Sequence, residues 1–242
     1  MPLGREKPDM IANFGQSENG GYGVARGMNR ACTICEKRPA KRFCPAKGEK
    51  ICAICCGEQR EVTIDCPSDC AYLIAAHRYE AEHRKPIPPE EFPYPNVEFP
   101  VEFVYERWPI VAGLAGTIIT FQTQNKEAND ATARLALEAL IETYRTLGAG
   151  IYYERPPDAP LARALYGQIT GFLQEFRNEQ ANRTGFPPVK DSDVFQLLVF
   201  LLRVRKQETN GRPLSRAFIG FLRARFGVPA AEKKETSRII VP

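Results

Sequence analysis

A chain of 242 residues with 43% hydrophobic and 10% aromatic side chains can bury a real core in one or two domains. Its formal net charge is +4, from 33 Lys/Arg against 29 Asp/Glu. No run approaches the roughly 18 apolar residues of a membrane span, which excludes an integral membrane class and predicts a soluble, cytoplasmic protein.

Residues 1–29 carry Gly15, Gly20, Gly21, Gly23 and Gly27 among Asn, Gln and Ser. They are too polar to bury much and are predicted as a disordered tail, with Arg26 and the adjoining Arg30 giving a weak attraction to anions. Residues 30–85 follow as a cysteine-rich module with a trailing helix. All eight cysteines fall here: Cys32-x2-Cys35, x8 to Cys44, x7 to Cys52, x2 to Cys55, the adjacent Cys56, x9 to Cys66, and x3 to Cys70. A disulfide framework fits poorly, because Met1-Pro2-Leu3-Gly4 opens a polar stretch with no apolar signal segment and no cysteine follows Cys70. Paired C-x2-C knuckles suit a tetrahedral zinc site, since a tight turn brings two thiolates to one ion while its amides point at the sulfurs. Eight ligands would serve two Zn2+. An iron–sulfur cluster is the competing chemistry: Cys55-Cys56-Gly57 resembles the CCG signature of heterodisulfide-reductase-type cluster domains, but the surrounding spacings do not match it.

The order C-x2-C, x8, Lys41-Arg42-Phe43-Cys44-Pro45, Ile51-Cys52-x3-Cys56 and Cys66-x3-Cys70 resembles the cross-braced MYND, HIT and B-box zinc fingers. The resemblance covers about a sixth of the chain. It implies a small all-cysteine, double-zinc, treble-clef-like module. It also implies that Cys32, Cys35, Cys52 and Cys56 hold one ion, and that Cys44, Cys66 and Cys70 serve the second. Where those families place the partner of Cys44, this chain has Lys47, which offers no lone pair. Cys55 is the substitute, with His77 the alternative, so the division of Cys55 and Cys56 between the ions stays open. Cys66 stands where those families often have histidine, so both sites become all-thiolate. Eight thiolates with two Zn2+ cancel the formal +4. Ser68 is predicted to cap a helix running toward Arg84, with Cys70 in its first turn.

Residues 86–100, with Pro86, Pro88, Pro89, Pro93, Pro95 and Pro100, read as a semi-rigid extended linker. Val97, Phe99, Val101, Phe103 and Tyr105 then alternate with Glu98, Glu102 and Glu106, the period of an edge strand, a helical docking arm being the alternative. Residues 101–228 are predicted to form an independent all-α bundle of four to five helices. A helix opens at Trp108-Pro109 and buries Ile110, Leu114, Ile118 and Phe121, though Gly113 and Gly116 weaken it. Asp130 caps the next, whose stripe is Ala133, Leu137, Leu140, Tyr144 and Leu147. Leu161, Leu165, Ile169, Phe172 and Phe176 mark a third helix, ended by Thr184-Gly185-Phe186-Pro187-Pro188. Asp191-Ser192-Asp193 begins a fourth, apolar on nearly every side and therefore central. Pro213 opens the last, with Phe218 and Phe221 inward, before a loose tail at residues 229–242.

The bundle carries no catalytic constellation. Both histidines of the chain lie near the cysteine block, which leaves a Ser–His–acid relay without a partner, and Asp191 and Asp193 read as helix-dipole partners. A non-enzymatic adaptor binding a protein partner is the leading expectation. Zinc-dependent nucleic-acid binding is the second, because residues 30–50 hold seven Lys/Arg against two Glu and residues 203–225 hold seven against Glu208 alone. Arg212, Arg216 and Arg223 fall within about 40° of one another on an ideal helix and are expected to form one exposed stripe, facing phosphates or an acidic protein.

Overall fold

The computed structural model describes residues 31–184 and 189–227. The predicted tails and the break at Gly185–Pro188 lie outside the described residues. The cysteine module opens with a hairpin, β1 (Arg42–Cys44) paired antiparallel to β2 (Glu49–Ile51), Arg42 opposite Ile51 and Cys44 opposite Glu49. Gly48 closes the turn at φ +68°, a conformation glycine adopts without steric cost, and its N–H donates to Cys44 O at 2.9 Å. Helix α1 (Ala53–Gln59) follows at once, then α2 (Ala71–Glu82). Cys70, not Ser68, occupies the N-cap of α2, so that cysteine stands one residue before the helix rather than in its first turn. Ile51, Ile64 and Leu73 join the cysteines in a small core of their own.

The proline segment is held against the bundle rather than standing off it. Proline removes backbone donors and leaves carbonyls to be satisfied, and the five-donor fork of an arginine is suited to them. Arg203 donates from Nε to Pro93 O at 3.1 Å and from Nη2 to Val97 O at 2.8 Å, and also reaches Tyr94 O. Tyr94 Oη donates to Glu142 at 2.8 Å. Beyond it, Val101–Glu106 is a short helix, α3, and not the edge strand that alternation predicts. Pro100 sits at its N-cap, where its missing N–H is no loss, and Val104 is the side chain it buries. Val101 and Tyr105 point to solvent, and no strand is available to pair with them among the described residues.

Five helices make the bundle: α4 (Trp108–Gln124), α5 (Asp130–Gly148), α6 (Pro160–Thr184), α7 (Asp191–Glu208) and α8 (Ala217–Phe226). Helix α7 is central as expected, burying Val194, Leu197, Leu198, Val199, Leu201 and Leu202 against α5 and α8. Asp191 and Asp193 at its start are ion-paired, to Arg177 at 2.7 Å and Arg107 at 3.0 Å. Gly113 on α4 has a packing reason: the ring of Phe172 on α6 lies where a Cβ would stand, its Cζ only 2.1 Å from that position. Asn129, not Asp130, caps α5, in a capping box with Thr132. Asp130 turns inward, 1% exposed, and caps α8 instead, accepting from Phe218 N at 3.0 Å, Ile219 N at 3.2 Å, Ser215 Oγ at 2.8 Å and Thr209 Oγ1 at 3.1 Å. Burial drives its carboxyl above the usual range, and these donors oppose that rise.

A second buried carboxylate joins the cysteine module to the bundle. Glu61, 1% exposed and at φ +53°, accepts from Asn210 Nδ2 at 2.7 Å and Arg216 N at 3.1 Å, and pairs with His77 Nε2 at 2.8 Å. Its carbonyl takes Leu214 N at 2.9 Å. Burial works against its ionisation, but His77, Asn210 and the Arg216 amide outweigh it and hold the carboxyl low.

Two substitutions test this packing. Gly→Ala inside a helix ordinarily stabilises by about 1 kcal/mol, but Gly113→Ala should destabilise by about 1–3 kcal/mol because Phe172 must move. A rise in thermal midpoint would contradict the close contact. Glu61→Ala leaves three polar partners unanswered and should lower stability by about 2–4 kcal/mol in urea unfolding. No change would show that the interface is incidental.

Candidate metal centre

The first knuckle is a turn in which Cys32 N donates to Arg38 O at 2.8 Å and Glu36 N to Cys32 O at 2.8 Å, with Glu36 at φ +54°. The second is the start of α1, where Cys52 is the N-cap and Cys55 lies one turn on. Strand β2 delivers Cys52 to Cys32. The sulfurs of Cys32, Cys35, Cys52 and Cys55 all lie within 4.8 Å of one another, and that of Cys35 is 4.0 Å from that of Cys52. Four thiolates at about 2.3 Å from one Zn2+ stand about 3.8 Å apart, so the set fits a tetrahedral ion. All eight cysteines are free of disulfides.

The surroundings favour thiolate. Cys52 N donates to Cys32 Sγ at 3.2 Å, and Cys55 N to Cys52 Sγ at 3.3 Å. Burial opposes ionisation of Cys32, yet the amides of Cys35, Cys52 and Ile34 bring its thiol down to about 6. The Cys55 amide likewise lowers Cys52, while burial and the neighbouring sulfurs push Cys55 up to about 12. Four thiols so close cannot all ionise beside one another, and a divalent cation removes that conflict. Arg38 adds a cation, its Nη1 3.9 Å from Cys52 Sγ. Sequence reasoning overlooked Arg38, although an arginine three residues past a knuckle cysteine was a visible signal.

The ligand set implied by resemblance needs one correction: Cys55, not Cys56, completes the group with Cys32, Cys35 and Cys52. Cys52 is the N-cap rather than a helical residue, and its sulfur turns in to accept from Cys55 N, which places Cys55 and not the following residue beside it. Cys56 faces a closed cavity of about 10 Å³ that it borders together with Cys44, Cys66 and Cys70. These four are buried, though among the described residues only the Cys32 group brings three or more ligand atoms within 4.8 Å of one another. Burial, and then the charges of Cys70 and Cys44, push the Cys66 thiol up to about 11. His77 does not join them, its Nε2 being engaged by Glu61.

Arg212, Arg216 and Arg223 do not form the exposed stripe expected of them. Helix α8 begins only at Ala217, so Arg212 and Arg216 precede it. Arg212 Nη1 donates to the carbonyls of Gly57 at 3.1 Å and Arg60 at 2.7 Å, at the end of α1. Arg216 pairs with Asp65 and donates to Lys126 O at 2.6 Å and Ala128 O at 3.1 Å. Arg223 donates to Gln122 Oε1 at 2.6 Å. The first two fasten the cysteine module to the bundle. Among the described residues no helix is long and apolar enough to cross a membrane.

Compared with family models, with characterised proteins and with solved structures, the chain matches none. The donor set itself makes a prediction. Protein purified without added metal should contain zinc, and Cys55→Ser should lower its content by close to one equivalent in elemental analysis. Iron in place of zinc, or an unchanged content, would overturn the assignment of this group.

Proposed function

We propose that the chain is a zinc-binding, non-enzymatic adaptor that joins protein partners through its cysteine module and its helical bundle. The observation that carries this reading is the completeness of the Cys32 group. Four cysteine sulfurs fill the tetrahedron and leave no position for water or substrate, which is the mark of a structural rather than a catalytic zinc. A second Zn2+ takes Cys44, Cys56, Cys66 and Cys70, which border one small, mostly apolar cavity of about 10 Å³. The module then has the crossed ligand order of the MYND, HIT and B-box fingers, with Cys55 and Cys56 exchanged from the assignment that the resemblance implies. Eight thiols kept free for metal suit the reducing cytoplasm.

The nucleic-acid reading drew on basic faces at residues 30–50 and 203–225, and the internal contacts of Arg212 and Arg216 weaken the second of these. A rigid body carrying two surfaces, with the thiolate charge of its zinc sites largely covered, serves protein recognition better.

Elemental analysis should give two zinc per chain, with Cys55→Ser and Cys56→Ser each removing a different one. The double variant should lose both. Affinity capture with the zinc-loaded protein should retain a discrete partner through nuclease treatment. Loss of the captured material to nuclease, with steep weakening by salt, would favour the nucleic-acid reading instead.

A further inference from the structure

Helix α2 of the cysteine module and helix α8 of the bundle flank an open groove of about 340 Å³. Its apolar length is made by Leu73, Ile74 and Ala81 on one side and by Ile219, Phe221 and Ala224 on the other. Ile74 is 48% exposed. At one end Arg84 and Glu208 neutralise each other at 2.7 Å. At the other end the groove runs on into a polar cleft of about 650 Å³ that shares Ser68, Arg216 and Arg223 with it and adds Lys126, Asp65 and Asp69.

The charges at this polar end are unequal in their partners. Arg216 and Asp65 satisfy each other. Among the described residues Arg223 has only the neutral Gln122 and the Lys126 ammonium has no ion pair, so two cations of the rim lack a carboxylate, against Asp69 as a carboxylate without a cation.

We infer that this groove binds an acidic amphipathic helix of a protein partner. Its apolar side chains, at i, i+3 or i+4 and i+7, fill the length between Ile74 and Phe221, and its carboxylates meet Arg223 and Lys126. Helix α8, ten residues long, offers about 15 Å of wall, the reach of two to three turns of such a helix. A mixed groove of this kind needs both parts: apolar filling supplies most of the affinity, and the cationic end sets direction and on-rate. The inference rests on the adaptor reading and names the chemistry of its partner.

The test is selection of peptides from a random display library of about sixteen residues, longer than the wall they must cover, on the immobilised, zinc-loaded full chain, followed by titration of the enriched peptides. Enriched sequences should combine helically spaced apolar residues with Asp/Glu at one end. Ile74→Glu, a change at a half-exposed position, should weaken their binding by about tenfold or more. Arg223→Gln with Lys126→Gln should weaken it by about threefold to tenfold and flatten its salt dependence. Peptides that bind undiminished to Ile74→Glu would overturn the groove while leaving the adaptor reading intact. Selection of basic or purely apolar sequences would overturn the stated chemistry. Concentration-dependent self-association of the free protein that Ile74→Glu abolishes would assign the groove to a second copy and overturn the inference. Failure of the whole chain to retain any protein through nuclease treatment would instead remove the adaptor reading itself.

Discussion

Two carboxylates without access to water, Glu61 in the cysteine module and Asp130 in the bundle, decide how the molecule is assembled. An ionised carboxylate removed from solvent is tolerated only where donors surround it. Both find them in the same short stretch between α7 and α8. Asn210, Leu214 and Arg216 answer Glu61 through side chain and backbone. Thr209, Ser215, Phe218 and Ile219 answer Asp130. One strip of chain is thereby strung between two buried charges, and the direction in which α8 leaves it is set by the pair. The groove beside α2 exists because of that direction.

The parts of this architecture that were legible in the sequence are those governed by local periodicity. Stripes such as Leu137, Leu140 and Tyr144 announce themselves because a helix repeats every 3.6 residues whatever it packs against. The knuckles were legible for a similar reason: a metal-binding turn is a local object. What sequence could not reveal depends on partners distant along the chain. Asp130 reads as an N-cap, yet the donors that claim it lie some eighty residues later, and Asn129 was free to take the local role. Arg212 and Arg216 read as solvated charge, because nothing nearby shows that carbonyls at the end of α1 await the first, and Asp65 with the carbonyls of Lys126 and Ala128 the second. The alternation from Val97 to Tyr105 is genuine, but a strand requires a neighbouring strand, and none is present among the described residues. The sorting of Cys55 and Cys56 lay between these extremes. On an ideal helix both fall within about 60° of Cys52, so it is the geometry of the N-cap and not the helical step that brings Cys55 to the Cys32 group.

The chemistry of the cysteine module and its attachment reinforce each other. Backbone amides and Arg38 quiet the negative charge of the Cys32 group on the side away from the bundle. The remaining cysteines sit on the near side, where Cys66 borders the groove and lies five residues from Glu61. A change of ligand state there would be felt first by the segment that both buried carboxylates hold.

The fork of Arg203 donates its hydrogen bonds to main-chain oxygens, and from side chains it takes only the face of the Phe99 ring. Along the proline segment, then, what must persist through evolution is a path of carbonyls, which many sequences can trace. Related chains could replace most of these residues, keep the arginine, and retain the same seam between segment and bundle. Kinship in this region would be written in backbone shape long after it had faded from the letters, and an arginine just past the apolar middle of α7 would be the surviving sign of it.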